Sequence, residues 1–156
     1  MNLMEYADKG GVIAYILILM NLIGFTIIIW KILILSNKKK IINKIRQKLD
    51  TTQDIYAQIE YEIKKLETGL TIIKNIAITS PLLGLLGTVV GVFISFQEVT
   101  AKGLGDPTIF SHGIGTALIT TIGGIIVAIP HQVAYNIFIS IIDHIELRAK
   151  KEIGKI

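Results

Sequence analysis

The 156-residue chain contains no cysteine, and three long stretches contain no charged residue. Without cysteine the chain has no disulfide bonds, thiolate metal sites or cysteine nucleophiles, whichever compartment holds it. The uncharged stretches are residues 12–30, 75–97 and 107–142. Each provides the roughly 20 residues that a helix needs to cross a hydrocarbon core of about 30 Å. The sequence therefore predicts an all-α, polytopic membrane protein with three transmembrane helices.

Patterns typical of enzymes are also missing. The phrase from Gly87 to Gly91 has GxxxG spacing, but no GKS or GKT follows it. In an apolar span such a phrase predicts helix packing and not a phosphate loop. The histidines lie far apart in sequence, at His112, His131 and His144, without the spacing of a metal site. We therefore expect no enzymatic activity, no cofactor and no bound metal.

The net charge of +4 comes from basic residues that are concentrated in two segments. Residues 36–69 carry eight Lys or Arg and the chain after Tyr135 carries four, whereas the opposite side has only Lys9 and Lys102. The positive-inside rule then places the connector and the C-terminus in the cytoplasm and the N-terminus outside. This topology explains the basic residues without nucleic-acid binding. The run Lys38-Lys39-Lys40 is explained as the positive flank of a span, with a specific anionic-lipid site as the alternative.

The predicted organisation is a single domain over 1–156, with spans at 12–35, 75–97 and 109–135, a helical connector at 36–74 and a tail at 136–156. The first span is expected to begin after Gly10-Gly11. The second helix has no breaker between the connector and Phe96, so we expect it to continue through Gly69 and to bend at Pro81. The third helix, apolar over 109–142, has a length of about 51 Å and exceeds the membrane thickness. Both long helices are therefore expected to extend into the cytoplasm.

Small residues interrupt the second and third spans, where a purely lipid-facing helix would be rich in leucine. Gly84, Gly87 and Gly91 lie three and four residues apart, on one helix face that another backbone can approach closely. The pair Gly123-Gly124 does the same in the third span. The overlong third helix also carries apolar residues that a lone three-helix unit would not bury completely: Ile137, Phe138, Ile141 and Ile142. Both features predict a homo-oligomer.

Four threonines lie at central depths of the second and third spans, at Thr88, Thr116, Thr120 and Thr121. Thr116 and Thr120 share a helix face, whereas Thr121 is about 100° further round the helix. A threonine in a membrane helix usually bonds the carbonyl four residues before it, which is a purely structural role. Four hydroxyls in adjacent helices instead favour a hydrated cavity, and both interpretations stay open.

Whole phrases of the second and third spans agree in order and spacing with a known family. The phrases are Pro81 to Gly91, Gly113-Ile114, Ala117-Leu118, Thr121, Gly124, Ala128-Ile129-Pro130 and Tyr135-Asn136-x-Phe138. Through them the chain resembles the proton-channel family of ExbB, TolQ and the flagellar stator MotA, and most nearly its ExbB and TolQ members. The first span and the connector agree with that family in layout alone.

The resemblance implies a subunit of a bacterial inner-membrane motor, with a periplasmic N-terminus. Five copies would form a ring around a dimer of single-span helices of the ExbD or TolR type. Ion flow would drive a TonB-like protein for outer-membrane import, or a TolA-like protein for envelope maintenance. In such a ring the four threonines would line the lumen, and helix packing would involve Pro81, Gly84, Gly87, Gly91, Gly124 and Pro130.

One position departs from the family pattern. ExbB and TolQ members often carry Glu where this chain has Thr116, and no span of this chain has a carboxylate in its core. Threonine forms hydrogen bonds but does not titrate. The proton-accepting group would then come from the partner, where the family has an aspartate. Coupling to H⁺ or to Na⁺ stays open.

Two further functions are alternatives to an ion-driven motor. A passive scaffold would have kept the fold and lost conduction together with the glutamate. A small-solute transporter is disfavoured, because such folds usually contain inverted repeats and broken helices in more than three spans. The sequence does not separate an ExbB role from a TolQ role.

Overall fold

The computed structural model of the protein describes residues 3–49, 55–102 and 108–153, which form five α-helices. In chain order they are α1 (Leu3–Leu35), α2 (Lys38–Leu49), α3 (Ile55–Glu67), α4 (Leu70–Lys102) and α5 (Thr108–Ile153). Three segments are long and apolar enough to cross a membrane, namely Ala7–Leu35, Leu70–Ala101 and Gly113–Lys151. The predicted all-α architecture with three candidate spans is confirmed. Residues 50–54, after α2, and 103–107, after α4, lie outside the described residues.

The α4 and α5 helices form an antiparallel hairpin along two facing rows of small residues. The rows are Ser80, Gly84, Gly87, Gly91 and Ser95 in α4, and Gly113, Ala117, Thr120 and Gly124 in α5. A Cβ atom on Gly84 would lie 2.8 Å from the carbonyl oxygen of Thr120, and one on Gly91 would lie 2.7 Å from that of Gly113. Larger side chains would therefore push the helices apart. The glycine face thus packs within the chain, so it is not the surface for a second copy that the sequence suggested.

The first span packs on this hairpin through a row of its own. Buried positions recur along α1 at steps of three, four or seven residues, at Ala7, Gly10, Ala14, Leu17, Gly24, Ile28, Lys31 and Leu35. Gly11 interrupts the helix with φ of 61° and ψ of −154°, a conformation that glycine adopts without the steric cost of a Cβ. The predicted start of the span after Gly10-Gly11 therefore coincides with a break, although α1 itself begins earlier, at Leu3.

The prediction of one continuous helix through Gly69 is wrong. Helix α3 ends at Glu67 and α4 begins at Leu70, because Gly69 adopts a left-handed conformation with φ of 88°. The Gly69 carbonyl accepts the first hydrogen bonds of α4, from the backbone N–H groups of Ile72 and Ile73 at 3.2 and 3.4 Å. As a result α3 is a separate element, and it packs against α5.

Helices α2 and α3 cover one end of the three-span bundle, which we call the connector end. Its core combines residues from all five helices, including Leu35, Ile45, Ile59, Ile63, Ile73 and Ile145. Phe138 and Ile142, which the sequence suggested would not be buried completely, are 4% and 0% exposed and belong to this five-helix core. Ile137 is 52% exposed on the other face of α5. The chain thus buries much of the apolar excess of its third helix by itself.

Candidate functional site

A pair of hydroxyl groups bridges α4 and α5 near the middle of the predicted spans. The Oγ1 atoms of Thr88 and Thr121 lie 2.7 Å apart, within hydrogen-bond distance. Gly84 allows this approach, because its missing Cβ would lie 3.1 Å from the Cα of Thr121 and 3.4 Å from the Cα of Gly124. Both threonine side chains are half-buried, so part of each remains open at the surface of the hairpin.

The hydrogen bonds of this pair can be assigned from the number of available protons. Each hydroxyl has one proton and two lone pairs. The Gly84 carbonyl oxygen lies 3.2 Å from the Thr88 hydroxyl and 3.3 Å from the Thr121 hydroxyl. One threonine can donate to the other, which then donates to this carbonyl, and the reverse order fits the distances equally well. Either order uses both protons and leaves free lone pairs, so the pair can accept a proton donor or contact a cation.

Thr120 lies inside the helix contact. It is 2% exposed, and its hydroxyl donates over the shortest distance, 2.9 Å, to the Ala117 carbonyl of its own helix. Its side chain fills the space over Gly87, where a Cβ atom would overlap it. Thr116, one turn earlier, is half-buried, and its backbone carbonyl lies 3.3 Å from the Thr120 hydroxyl. The Thr120 hydroxyl also lies 3.4 Å from the Gly84 carbonyl, so the structure brings three of the four predicted threonines to this carbonyl. Of these three, the two members of the hydroxyl pair are half-buried and Thr120 is buried.

The two prolines proposed for helix packing lie within the long helices. Pro81 is inside α4 and Pro130 is inside α5, and both are half-buried. Proline has no N–H, so each leaves the carbonyl four residues earlier without its usual helical donor. The carbonyls that lose this donor are those of Ala77 in α4 and Ile126 in α5.

A histidine outside the predicted set of site residues is buried between the spans. His131 is 0% exposed, and its Nδ1 lies 2.7 Å from the Val127 carbonyl. A carbonyl only accepts, so Nδ1 carries a proton, and in the neutral ring Nε2 is then an acceptor. Within the described residues, neither Nε2 of His131 nor Oδ1 of Asn21 in α1 has a hydrogen-bond partner, although both atoms are buried.

The histidine ring lies directly over α1. A Cβ atom on Gly24 would overlap Nε2 of His131, and the Phe25 ring meets the imidazole edge-on at a centroid distance of 5.2 Å. The sequence does contain a signal for this contact. His131 continues the buried series of Thr120, Gly124 and Val127 in α5 at steps of three and four, and Gly24 continues that of α1.

The chain is similar in sequence to known proteins. The family model for the MotA/TolQ/ExbB proton channel family matches residues 33–151. The biopolymer transport protein ExbB of Aquifex aeolicus is 39% identical over 83 residues, which are 53% of this chain and 54% of the relative. ExbB of Xanthomonas campestris pv. campestris is 38% identical over 77 residues, covering 49% of this chain and 30% of the relative.

A relative with a different role is similar to the same degree. The Tol-Pal system protein TolQ of Pseudomonas aeruginosa is 39% identical over 80 residues, which are 51% of this chain and 35% of the relative. In each case the chain spans about half, or less, of the length of the curated relative that it matches.

Proposed function

The chain belongs to the MotA/TolQ/ExbB proton channel family, and we propose that it is the three-span subunit of a motor that converts an ion gradient into work on a partner protein. The family is one of channel proteins and not a known enzyme family. The observation that carries the proposal is the interhelical Thr88–Thr121 hydroxyl pair, which lies in two spans without a carboxylate.

The proposed ion path runs along the open side of this hydroxyl pair. Its free lone pairs suit the protonated form of a carboxylic acid, water or a cation. No span core of this chain has a carboxylate, so the titrating group belongs to a single-span partner of the ExbD or TolR type. Thr88 and Thr121 orient or hydrate that group, Thr116 extends the polar strip, and Thr120 holds the two helices together. Both H⁺ and Na⁺ are compatible with this arrangement.

The proposed assembly is a homopentamer in the bacterial inner membrane, with the N-terminus in the periplasm and the connector end in the cytoplasm. The eight basic residues of segment 36–69 support this orientation. Large apolar side chains that α4 and α5 leave exposed support burial against lipid or neighbouring subunits, as at Leu82, Leu85, Val89, Phe93, Leu118 and Ile126. Two partner helices would then occupy the centre of the ring.

Two cellular roles follow from the relatives. We propose first an ExbB-like role, in which the motor acts on a TonB-like protein for outer-membrane import. A TolQ-like role in envelope maintenance is the alternative, because the ExbB and TolQ relatives are each 39% identical to the chain. A non-conducting scaffold is favoured by one observation: Thr88 and Thr120 reach carbonyls of their own helices, as structural threonines do.

Replacement of the hydroxyl pair tests the motor proposal. The Thr88→Val/Thr121→Val variant keeps the side-chain volume but removes both hydroxyls. We expect it to assemble normally with its partner and to lose activity about tenfold or more, since each lost hydrogen bond contributes about 1 kcal/mol. The measurement is TonB-dependent uptake in cells that lack their own ExbB, together with ion flux in vesicles containing the complex.

Thr26→Val is the matched control. Thr26 is exposed in α1 and donates to the Leu22 carbonyl at 2.8 Å, so its replacement removes an intramembrane hydroxyl away from the site. It should leave activity unchanged. Full activity of the double variant would show that the hydroxyls only satisfy their own hairpin, and the scaffold would then be the better explanation.

A further inference from the structure

A cavity of about 440 Å³ opens at the connector end, where the end of α1 meets α2 and α3. Its walls combine apolar and basic side chains, among them Ile34, Ile41, Ile45, Leu66, Lys31 and Lys65. Glu62 also lines the cavity, and it has a polar interaction of its own. The combination of an apolar wall with two ammonium groups suits a ligand that is itself part apolar and part anionic.

Lys31 provides the strongest indication of an anion. The residue is 1% exposed, and its Nζ donates to the Leu66 carbonyl at 2.7 Å. An ammonium group has three donors. No carboxylate forms an ion pair with it in the part of the chain that the structure describes. A buried charge is costly unless it is paired, so a ligand that supplies a negative charge would be stabilised here.

The surroundings place this cavity at a membrane surface. Trp30 lies beside Lys31, with its ring centroid 5.0 Å from Nζ, and tryptophan is typical of the boundary between hydrocarbon and water. Helix α2 follows at once with the sequence KKKIINKIRQKL, in which basic residues alternate with an apolar face. The apolar face contributes Ile41 and Ile45 to the cavity. A basic amphipathic helix directly after a span favours contact with anionic lipid.

We propose that this cavity binds one anionic phospholipid, with its phosphate between Lys31 and Lys65 and an acyl chain along Ile34, Ile41 and Ile45. The geometry provides two ammonium groups for the phosphate and an apolar wall for the chain. The proposal requires insertion in a bilayer, but it does not depend on ion conduction. Its failure and the failure of the motor proposal can therefore be distinguished.

Native mass spectrometry of the purified protein in mild detergent tests the site. The probes are phosphatidylglycerol and phosphatidylcholine with identical acyl chains, each added at the same concentration. We expect the protein to retain phosphatidylglycerol preferentially. Lys31→Gln and Lys65→Gln should each lower that retention about fivefold, the scale of one lysine near an anionic lipid surface. Lys65 is exposed, so Lys65→Gln decides the result if Lys31→Gln does not fold.

Lys64→Gln is the matched control, because it removes the same charge from the neighbouring residue. The Lys64 side chain is 81% exposed, pairs with Glu67 at 3.5 Å and points away from this cavity into another. Its replacement should leave lipid retention unchanged. Equal retention of the two lipids, or an equal loss in Lys64→Gln, would overturn the proposal in favour of general surface charge.

Two further outcomes would also overturn it. Complete displacement of the lipid by inorganic phosphate would identify a site for a small anion. A changed oligomer distribution in Lys65→Gln, with an unchanged preference for phosphatidylglycerol, would identify the cavity as a contact with a second copy.

Discussion

Individual polar residues in the spans differ in whether their hydrogen-bond partners lie in the same helix or in a neighbouring one. The hydroxyls of Ser80 and Ser95 are buried and donate to carbonyls four residues earlier, at 2.6 and 3.1 Å, which satisfies them within α4. Thr121 instead bonds across to α4 and remains partly open. His131 bonds its own helix through Nδ1, but its Nε2 is directed at the backbone of Gly24. The half-buried hydroxyl pair can therefore contact a group outside the chain, whereas the buried histidine contacts only its neighbours within the helix bundle.

The contact between Gly24 and His131 predicts a coupling between two substitutions. Gly24→Ala should destabilise the protein by about 1–3 kcal/mol, because the new methyl group overlaps the imidazole in a closely packed site. In a His131→Ala background the same change should cost much less, since the ring is gone. A double-mutant cycle of unfolding free energies in detergent measures this coupling. Equal costs in both backgrounds would contradict the proposed contact.

Among the helices, the α4–α5 hairpin is the element whose geometry depends most on glycine. Gly84 and Gly124 face each other, and a Cβ on Gly124 would lie 2.5 Å from the Ser80 carbonyl oxygen. The close approach replaces side-chain contact with backbone contact, which strengthens packing where lipid provides no hydrophobic driving force. The same approach brings Thr88 within hydrogen-bond distance of Thr121. The hydroxyl pair therefore depends on the close packing of α4 against α5.

Two glycine-to-alanine changes should have opposite effects on this hairpin. Gly84→Ala places a methyl group 2.8 Å from the Thr120 carbonyl oxygen, so we expect a loss of about 1–3 kcal/mol in stability. Gly115→Ala is the control, because no atom lies within 4 Å of its Cβ position. It should be neutral or stabilising by up to about 1 kcal/mol, since alanine has the higher helix propensity. Thermal unfolding in detergent compares the two, and equal destabilisation would contradict the close helix contact.

The whole molecule leaves an extensive apolar surface on its spans, whereas the core residues of its connector end are buried. Phe93 and Ile126 are 60% and 61% exposed, whereas Ile59, Ile73 and Ile142 at the connector end are fully buried. Lipid can cover exposed apolar residues, and so can a neighbouring copy. The half-buried hydroxyl pair is better suited to a polar lumen than to lipid, because a polar group facing hydrocarbon loses its hydration.

This distribution of exposed apolar residues predicts a homo-oligomer, and the pentamer proposed above is the expected count. Native mass spectrometry in mild detergent, without added partner, should show a species larger than the monomer. Replacing Phe93 or Ile126 by Asn should weaken the oligomer if the residue faces a neighbour and should have little effect if it faces lipid. Mainly monomeric protein at concentrations that preserve the fold would contradict the prediction.

The sequence alone was sufficient to predict the all-α class and the three candidate spans. Three uncharged stretches predict three spans because hydrocarbon does not tolerate unpaired charge, and the regular spacing of Gly84, Gly87 and Gly91 predicts a close helix contact. The choice of partner for that face, and the difference between Thr120 and Thr121, came from the tertiary structure. Those two neighbouring threonines have the same side chain, but they point about 100° apart around α5. The position of α4 decides that Thr120 is buried and that Thr121 stays half-buried.

The remaining features also depended on tertiary structure. Gly69 fits inside a helix or in a left-handed break, and in the folded chain, where α3 packs against α5, it adopts the break with φ of 88°. Burial of Phe138 and Ile142 required the connector helices to fold back over α5, a contact between residues far apart in sequence. Periodicity shows which residues of a helix share a face. Which face meets which neighbour is decided by the energy of packing all the helices together, and that energy is not a property of any one segment.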